Sequence, residues 1–239
     1  MINENEAKRI ISDLRDDYDK NAVSFAISRD KMWPELKFLF DSAKGNEKVL
    51  DVGCGSGRFF NYLKDTDYTG IDFSKNLINE AKKRFPNEKF IVGDALSLPF
   101  KDNSFDKVYS IAVLHQIPKE EYRFKALNEI KRVLKKDGVA FITVWNIKSD
   151  SKILKSNSSY FLEDKNESNK KTDSITQYII NHFKKFRKRR NFFLKRKRYY
   201  YIFKKKELSK LAKEVGFKVI EEGVLKRKTR SNFYIILQK

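Results

Sequence analysis

The segment Asp51-Val52-Gly53-Cys54-Gly55-Ser56-Gly57 constrains this chain more than any other. Three glycines at alternate positions follow a short apolar run, Lys48–Val52, and the pattern reads as a strand that turns through a loop and opens a helix. Without a Cβ, a backbone can turn sharply and approach a ligand free of side-chain collision. Acidic residues recur where the next apolar runs end. Asp72 closes Tyr68–Ile71, and Asp94 follows Phe90–Val92 and Gly93. Carboxylates at successive strand tips predict a crevice beyond the carboxyl ends of a doubly wound sheet, where such folds bind ligands.

The rest of the chain keeps the same rhythm. Residues 5–20 have Ala7, Ile10, Ile11, Leu14 and Tyr18 near helical spacing, and Trp33-Pro34 opens a second short helix. Ser74 caps a helix over 75–84, which stops before Pro86. Asp106–Ala112 reads as a fourth strand, 119–135 as a helix broken at Gly138, and Val139–Trp145 as a fifth strand. Apolar strands alternating with helices predict an α/β fold with a parallel sheet covered on both faces. Residues 148–173 are rich in Ser, Asn, Lys and Asp and read as a loop, and 175–194 as a basic helix. The rhythm resumes with Tyr199–Phe203 extended, 205–215 helical, and Phe217–Leu225 and Phe233–Leu237 as strands that can pair antiparallel. At 239 residues, one domain is expected.

The carboxylates bear on the ligand. Asp72 lies 19 residues after Gly53, the place for a carboxylate that accepts hydrogen bonds from ribose hydroxyls. Asp94 and the amide beside it can meet an adenine edge. Dinucleotide enzymes also use glycine loops, but here the spacing is G-x-G-x-G with an aspartate just before it. A negative rim disfavours a pyrophosphate and suits a sulfonium cation, which selects S-adenosylmethionine over NAD.

Charge divides the chain in two. Residues 1–150 hold 26 Lys/Arg and 24 Asp/Glu, whereas 151–239 hold 26 Lys/Arg against 8 Asp/Glu. Residues 184–206 alone carry 13 basic side chains and no acid, with aromatics interleaved. Such a stretch can follow phosphates and stack on unpaired bases; a nuclear localisation signal or a solvated basic face are the plainer readings. One cysteine and two histidines (His115, His182) exclude a disulfide framework and a zinc site built from this chain. No apolar run spans a bilayer and the charged N-terminus is no secretory signal, so an intracellular soluble protein is expected, in the cytoplasm or else the nucleus.

On these residues the chain resembles the class I S-adenosylmethionine-dependent methyltransferases. Within them it resembles the tRNA wobble-uridine (carboxymethyluridine) methyltransferases, also found fused to some tRNA hydroxylases. The matching stretches are Tyr18-Asp19, Phe25 to Arg29, Trp33-Pro34, VLDVGCGSGR, GIDFS, GDALSLPFKDNSFD, SIAVLHQI, the Arg123 to Leu134 helix, Val144-Trp145, Arg198-Tyr199-Tyr200 and Asn232-Phe233-Tyr234. The resemblance implies a Rossmann-like, mostly parallel seven-stranded sheet with helices on both faces. It implies a single methyltransferase domain over 1–239, with N-terminal helices in 1–45 and a basic insertion at 147–198 after the fifth strand. Asp51, Gly53, Cys54, Gly55, Gly57, Asp72, Phe73, Asp94, Ala95 and Ile111 become candidates to hold the cofactor. Arg29, His115, Trp145, Arg198 and Tyr199 become candidate catalytic residues, with Arg29 placed to hold an acceptor carboxylate. No metal is implied. The implied partners are the tRNA anticodon loop and a small zinc-binding activator protein, which forms a heterodimer by adding a strand to the sheet edge near Lys89–Val92.

Some chemistry is read by exclusion. Methylation at pyrimidine C5 generally needs a cysteine nucleophile, and the single cysteine, Cys54, sits inside the glycine loop. Adenine amine methylation usually shows an Asn/Asp-Pro-Pro-aromatic run after the fourth strand, where this chain reads Ile111-Ala112-Val113-Leu114-His115-Gln116. A carboxylate acceptor needs no base at neutral pH, because its pKa is near 4. The resemblance then implies a methyl ester on 5-carboxymethyluridine. A small-molecule methyltransferase acting on a quinone or lipid precursor, and a noncatalytic RNA-binding subunit, are the competing readings.

Overall fold

A computed structural model describes residues 2–29, 33–146, 159–162, 198–227 and 230–239. The basic helix expected at 175–194, and most of the insertion and basic stretch, lie outside the described residues. Helix α1 (Glu4–Lys20) is capped by Asn3, whose side chain accepts from the Glu6 amide, and it buries Ala7, Leu14 and Tyr18. Helix α2 (Ala22–Ser28) follows directly. A 3₁₀ turn at Pro34–Leu36 runs into the short α3 (Lys37–Phe40). Next come β1 (Lys48–Val52), β2 (Asp67–Asp72), α4 (Lys75–Arg84), β3 (Lys89–Val92), β4 (Phe105–Ile111), α5 (Glu120–Val133) and β5 (Leu134–Trp145). Inside the insertion lies β6 (Ser159–Leu162), and at its end and beyond come β7 (Arg198–Tyr201), α6 (Glu207–Glu214), β8 (Lys218–Arg227) and β9 (Arg230–Gln238).

Seven strands form one sheet in the order β3-β2-β1-β4-β5-β9-β8. The first five are parallel, and β9 runs antiparallel between β5 and β8. The order reverses between β1 and β4, and a crevice opens at such a switch point. Alternate strand residues serve opposite faces. On one face Leu50, Val52, Val108 and Ile142 pack with Leu127 and Ile130 of α5. On the other, Val49, Tyr68, Tyr109 and Phe141 pack with Leu36, Leu39 and Phe40. Tyr109 is stacked between Phe40 and Phe141, with ring centroids 4.9 and 4.7 Å away. Its buried hydroxyl donates to the Leu39 carbonyl at 3.1 Å, which satisfies the polar tip.

Three local expectations are corrected. The glycine loop opens into a three-residue 3₁₀ turn, Phe60–Tyr62, not a helix. Gly57 is left-handed there, which breaks the run of helical backbone, and Phe59 and Phe60 both turn into the core. Helix α5 ends at Val133 and β5 begins at once, five residues before the expected strand. Asp137 at φ 62° turns the chain there, and a Cβ on Gly138 would sit 2.9 Å from the Lys135 carbonyl. Within the expected loop, Ser159–Leu162 is a strand paired in parallel with β7, residue for residue from Ser159↔Arg198 to Leu162↔Tyr201.

Candidate active site

One cleft opens over the carboxyl ends of β1, β2, β3 and β4, with about 1100 Å³ of space, its mouth included. The loop after β1 forms its floor and is left-handed at Gly53 (φ 75°), Gly55 (57°) and Gly57 (75°). The Gly53 and Cys54 amides donate to the Ile71 carbonyl at 2.7 and 3.1 Å, stitching the loop to the end of β2. A Cβ on Gly53 would lie 2.3 Å from Val113 Cγ2, so only glycine lets the loop pass the segment after β4.

Asp72 accepts from the Gly55 amide through Oδ2 and from the Ser74 amide through Oδ1, both at 2.9 Å. Burial raises its pKa to about 6 against the opposing pull of those amides. Asp94 and Ala95 line the same end, with Asp94 Oδ1 accepting from the Leu96 amide at 2.9 Å. Phe73 and Ile111 also line the cleft. Ala112, just past β4, holds φ 62°, and its amide donates to the Thr143 carbonyl and hydroxyl at 3.0 and 3.1 Å. A non-glycine residue in that region is strained, and such strain collects at functional sites.

Asp51 does not line the cleft. It faces the Tyr109 side of the sheet, where Oδ2 accepts from the Tyr68 hydroxyl at 3.0 Å and Oδ1 has no partner among the described residues. Burial pushes its pKa up to about 7. Gly57 is also turned away, its missing Cβ leaving room for Phe90, 2.8 Å from where it would stand. Cys54 is buried, and burial together with the charges of Asp51 and Asp72 pushes its thiol well above the ordinary range. That suppresses the reactive thiolate form.

The other end of the cleft is basic and aromatic. The Arg29 guanidinium lies 4.8 Å from the Phe25 ring and 5.6 Å from Trp145, and both Arg29 and Trp145 line the cleft. Behind Trp145 stands His115, fully buried, with centroids 4.8 Å apart, and Tyr200 stacks on both at 5.0 and 5.7 Å. Burial, then the charge of Arg29, lowers the His115 pKa to about 3. Neither imidazole nitrogen has a hydrogen-bond partner among the described residues.

Arg198 is outside the cleft lining. Its Nε meets Asp17 Oδ2 at 2.5 Å, and its guanidinium lies 4.3 Å from the Tyr18 ring. Tyr199 packs in the main core with Tyr201, and Tyr200 is the tyrosine of β7 that joins the His115–Trp145 stack. The two-residue period of a strand decides this. The sequence reading missed the N-terminal wall of the cleft, formed by Ile11, Leu14, Tyr18 and Phe25, and it missed Arg58. The signals were present: Ile11 and Leu14 belong to the apolar stripe of α1, and Arg58 directly follows the last glycine of the loop.

The residues fit a sulfonium donor better than a dinucleotide. Buried carboxylates stand at the strand tips, and no α-helix N-terminus follows the loop to receive a pyrophosphate. Residues 50–142 match the family model described as "Methyltransferase domain". That segment makes the chain a methyltransferase with S-adenosylmethionine as its cofactor.

Among curated relatives of this methyltransferase is a tRNA (carboxymethyluridine(34)-5-O)-methyltransferase, alkbh8, of Xenopus tropicalis. It is 38% identical over 158 residues, which cover 66% of this chain and 24% of the relative. An Arabidopsis thaliana protein of the same activity name is 34% identical over 54% of this chain and 31% of its own. The methyltransferase thus spans about a quarter to a third of these relatives. Among solved structures, a Haloferax volcanii methyltransferase in complex with the Trm112 methyltransferase activator superposes with TM-score 0.63 at 18% identity, covering 94% of this chain and 96% of that one. An S-adenosylmethionine-dependent methyltransferase of Methanosarcina mazei superposes with TM-score 0.58 at 24% identity, over 87% and 98% of the two chains. Among the described residues of the methyltransferase, no cluster of His, Cys, Asp and Glu could hold a metal, and no helix is long and apolar enough to cross a membrane.

Proposed function

We propose that this methyltransferase acts on tRNA and esterifies the carboxylate of 5-carboxymethyluridine at the wobble position of the anticodon. The observation that carries the reading is one cleft lined by Asp72 and Asp94 and also by Arg29 and Trp145, in a chain that is 38% identical over 158 residues to the Xenopus relative.

S-adenosylmethionine, when bound, supplies an electrophilic methyl group on a sulfonium. Gly53, Cys54, Gly55, Asp72, Phe73, Asp94, Ala95 and Ile111 are the residues proposed to hold it, with Asp72 and Asp94 toward its hydroxyl and amine donors. Asp51 ties the end of β1 to Tyr68 of β2 and does not meet the donor. An acceptor carboxylate is already ionised at neutral pH, so no proton must be taken from it. The neutral His115 and the suppressed Cys54 thiol suit such a reaction. Arg29 grips the acceptor through a two-pronged guanidinium contact. Trp145, backed by His115 and Tyr200, offers a flat wall to the base. Arg198 holds the N-terminal helices over the cleft. Catalysis then rests on alignment and exclusion of water.

In this reading the basic residues of 184–197, with the exposed Lys204, Lys205 and Lys206, supply phosphate contacts to the anticodon loop, whereas Arg198 to Phe203 are buried in the fold and take no part in them. An activator protein pairs with the free edge of β3, where Val92 is 49% exposed. That partner is suggested by the Haloferax neighbour, which was solved with an activator. The cytoplasm is the proposed location.

The test gives methyl-labelled donor to the methyltransferase, with and without a Trm112-type activator, together with bulk tRNA from cells lacking the modification. Label that enters tRNA and is released by mild alkali marks an ester. Alkali-stable label, or label only in an organic extract, would refute the proposal.

A further inference from the structure

Arg58 is absent from the function derived so far, yet it is a cleft residue. It is 9% exposed, and its guanidinium lies between the rings of Trp33 and Phe59, 4.8 and 4.4 Å from their centroids. One terminal nitrogen, Nη1, is sealed from solvent without a hydrogen-bond partner among the described residues. Among those residues Arg58 forms no ion pair either. Asp51, whose charge it feels, is hydrogen-bonded to Tyr68 instead. A buried guanidinium left in this state is costly unless something pairs with it.

Its position within the cleft narrows the ligand. Trp33 packs both against the cluster of Trp145 and Tyr200 and against the core that holds Phe59, and Arg58 feels the charge of Arg29, so Arg58 lies toward the Arg29 part of the cleft. Burial, and next the like charge of Arg29, lower the Arg58 pKa to about 10. Like charges that feel each other at low dielectric repel, and an anion held by both guanidiniums offsets that repulsion. The planar fork of arginine matches a carboxylate with two parallel hydrogen bonds.

We propose that Arg58 and Arg29 together form a carboxylate-binding end of the cleft, with Arg58 contacting the ligand directly. Two carboxylates are candidates for it. The donor carries one on its amino-acid tail, and the acceptor proposed above is another, so that half of the proposal rests on the tRNA reading. The same guanidinium chemistry serves either.

The experiment compares the full-length wild type with Arg58→Gln and Arg58→Lys by titration calorimetry, using two ligand pairs. The first pair is S-adenosylhomocysteine against 5′-methylthioadenosine, which lacks the amino-acid tail. The second is an anticodon stem-loop RNA bearing 5-carboxymethyluridine against the same RNA with uridine. The expected result is that Arg58→Gln weakens the carboxylate-bearing member of one pair by about tenfold or more, leaves its counterpart within about twofold, and is partly restored in Arg58→Lys. Selective loss in the first pair assigns the donor carboxylate; selective loss in the second assigns the acceptor. Unchanged affinities throughout, or equal weakening within both pairs, overturns the proposal. A wild type that binds both RNAs equally counts against the tRNA reading alone, because the first pair still decides Arg58. Should Arg58→Gln fail to fold, Arg58→Lys carries the test, since it keeps the charge and loses the fork.

Discussion

Arg198 and Asp17 are 181 residues apart in the chain and meet at 2.5 Å. Their contact ties β7 to α1, and thus the far end of the insertion to the helix that supplies Ile11, Leu14 and Tyr18 to the cleft. A second tie holds α1 from the other side: Asp19 accepts from the Ser74 hydroxyl at 2.6 Å and from the Asn76 amide at 3.0 Å, at the start of α4. The N-terminal helices are therefore a wall of the site fixed at two points.

Breaking the first tie has a defined effect. Arg198→Ala removes a mostly buried charge from Asp17 and from the face of Tyr18, at a cost of about 2–4 kcal/mol. The midpoint of denaturant unfolding drops, and affinity for S-adenosylhomocysteine drops with it because α1 lines the cleft. An unchanged midpoint together with unchanged affinity would show that the contact holds nothing in place.

Gly53→Ala meets two obstacles at once, the positive φ and the Val113 methyl 2.3 Å from the new Cβ. Binding of S-adenosylhomocysteine is expected to weaken by about tenfold or more, with part recovered in Gly53→Ala combined with Val113→Ala. Full recovery in the double variant would mean that sterics alone, and not the left-handed backbone, demands glycine there.

His115 predicts a pH dependence with a definite sign. Its folded pKa of about 3 lies below the ordinary value of 6.5, so the unfolded chain takes up the proton first. Stability from this group is whole above pH 6.5 and declines as pH falls from there toward 3. The imidazole is expected to keep the nuclear magnetic resonance shifts of the neutral ring down to pH 4. A midpoint near 6 in that titration contradicts its burial behind Trp145.

The two buried aspartates act in the opposite direction. Asp51 is raised to about 7 and Asp72 to about 6, from 3.8, both by burial. Carboxyls with raised folded values favour the folded state below pH 3.8 and lose that contribution as pH rises through 6 and 7. In the absence of ligand, Asp51→Asn is expected to gain stability relative to wild type as pH goes from 4 to 8. An identical pH profile for the two proteins would place the Asp51 carboxyl at its ordinary value.

Much of this was legible in the residues. Apolar runs of three to five residues ending in glycine or aspartate specify strands, and the cap at Ser74 specifies a helix start, because both depend on neighbours in sequence. The sheet class, the glycine loop and the two cleft aspartates, Asp72 and Asp94, follow from such local signals. Which way a side chain faces does not. Asp51 stands one residue before Val52 yet turns to Tyr68, and Tyr200 rather than Tyr199 joins the stack, because strand alternation is read against a partner sheet that sequence does not display. Arg58 directly follows the last glycine of the loop, but what surrounds it was not legible, since Trp33 and Arg29 come from distant parts of the chain. The chain's own order of apolar, glycine and acidic residues determined the scaffold, the kind of cofactor and two of its carboxylates; only packing across the sheet decided that Asp51 turns out of the cleft and Arg58 into it.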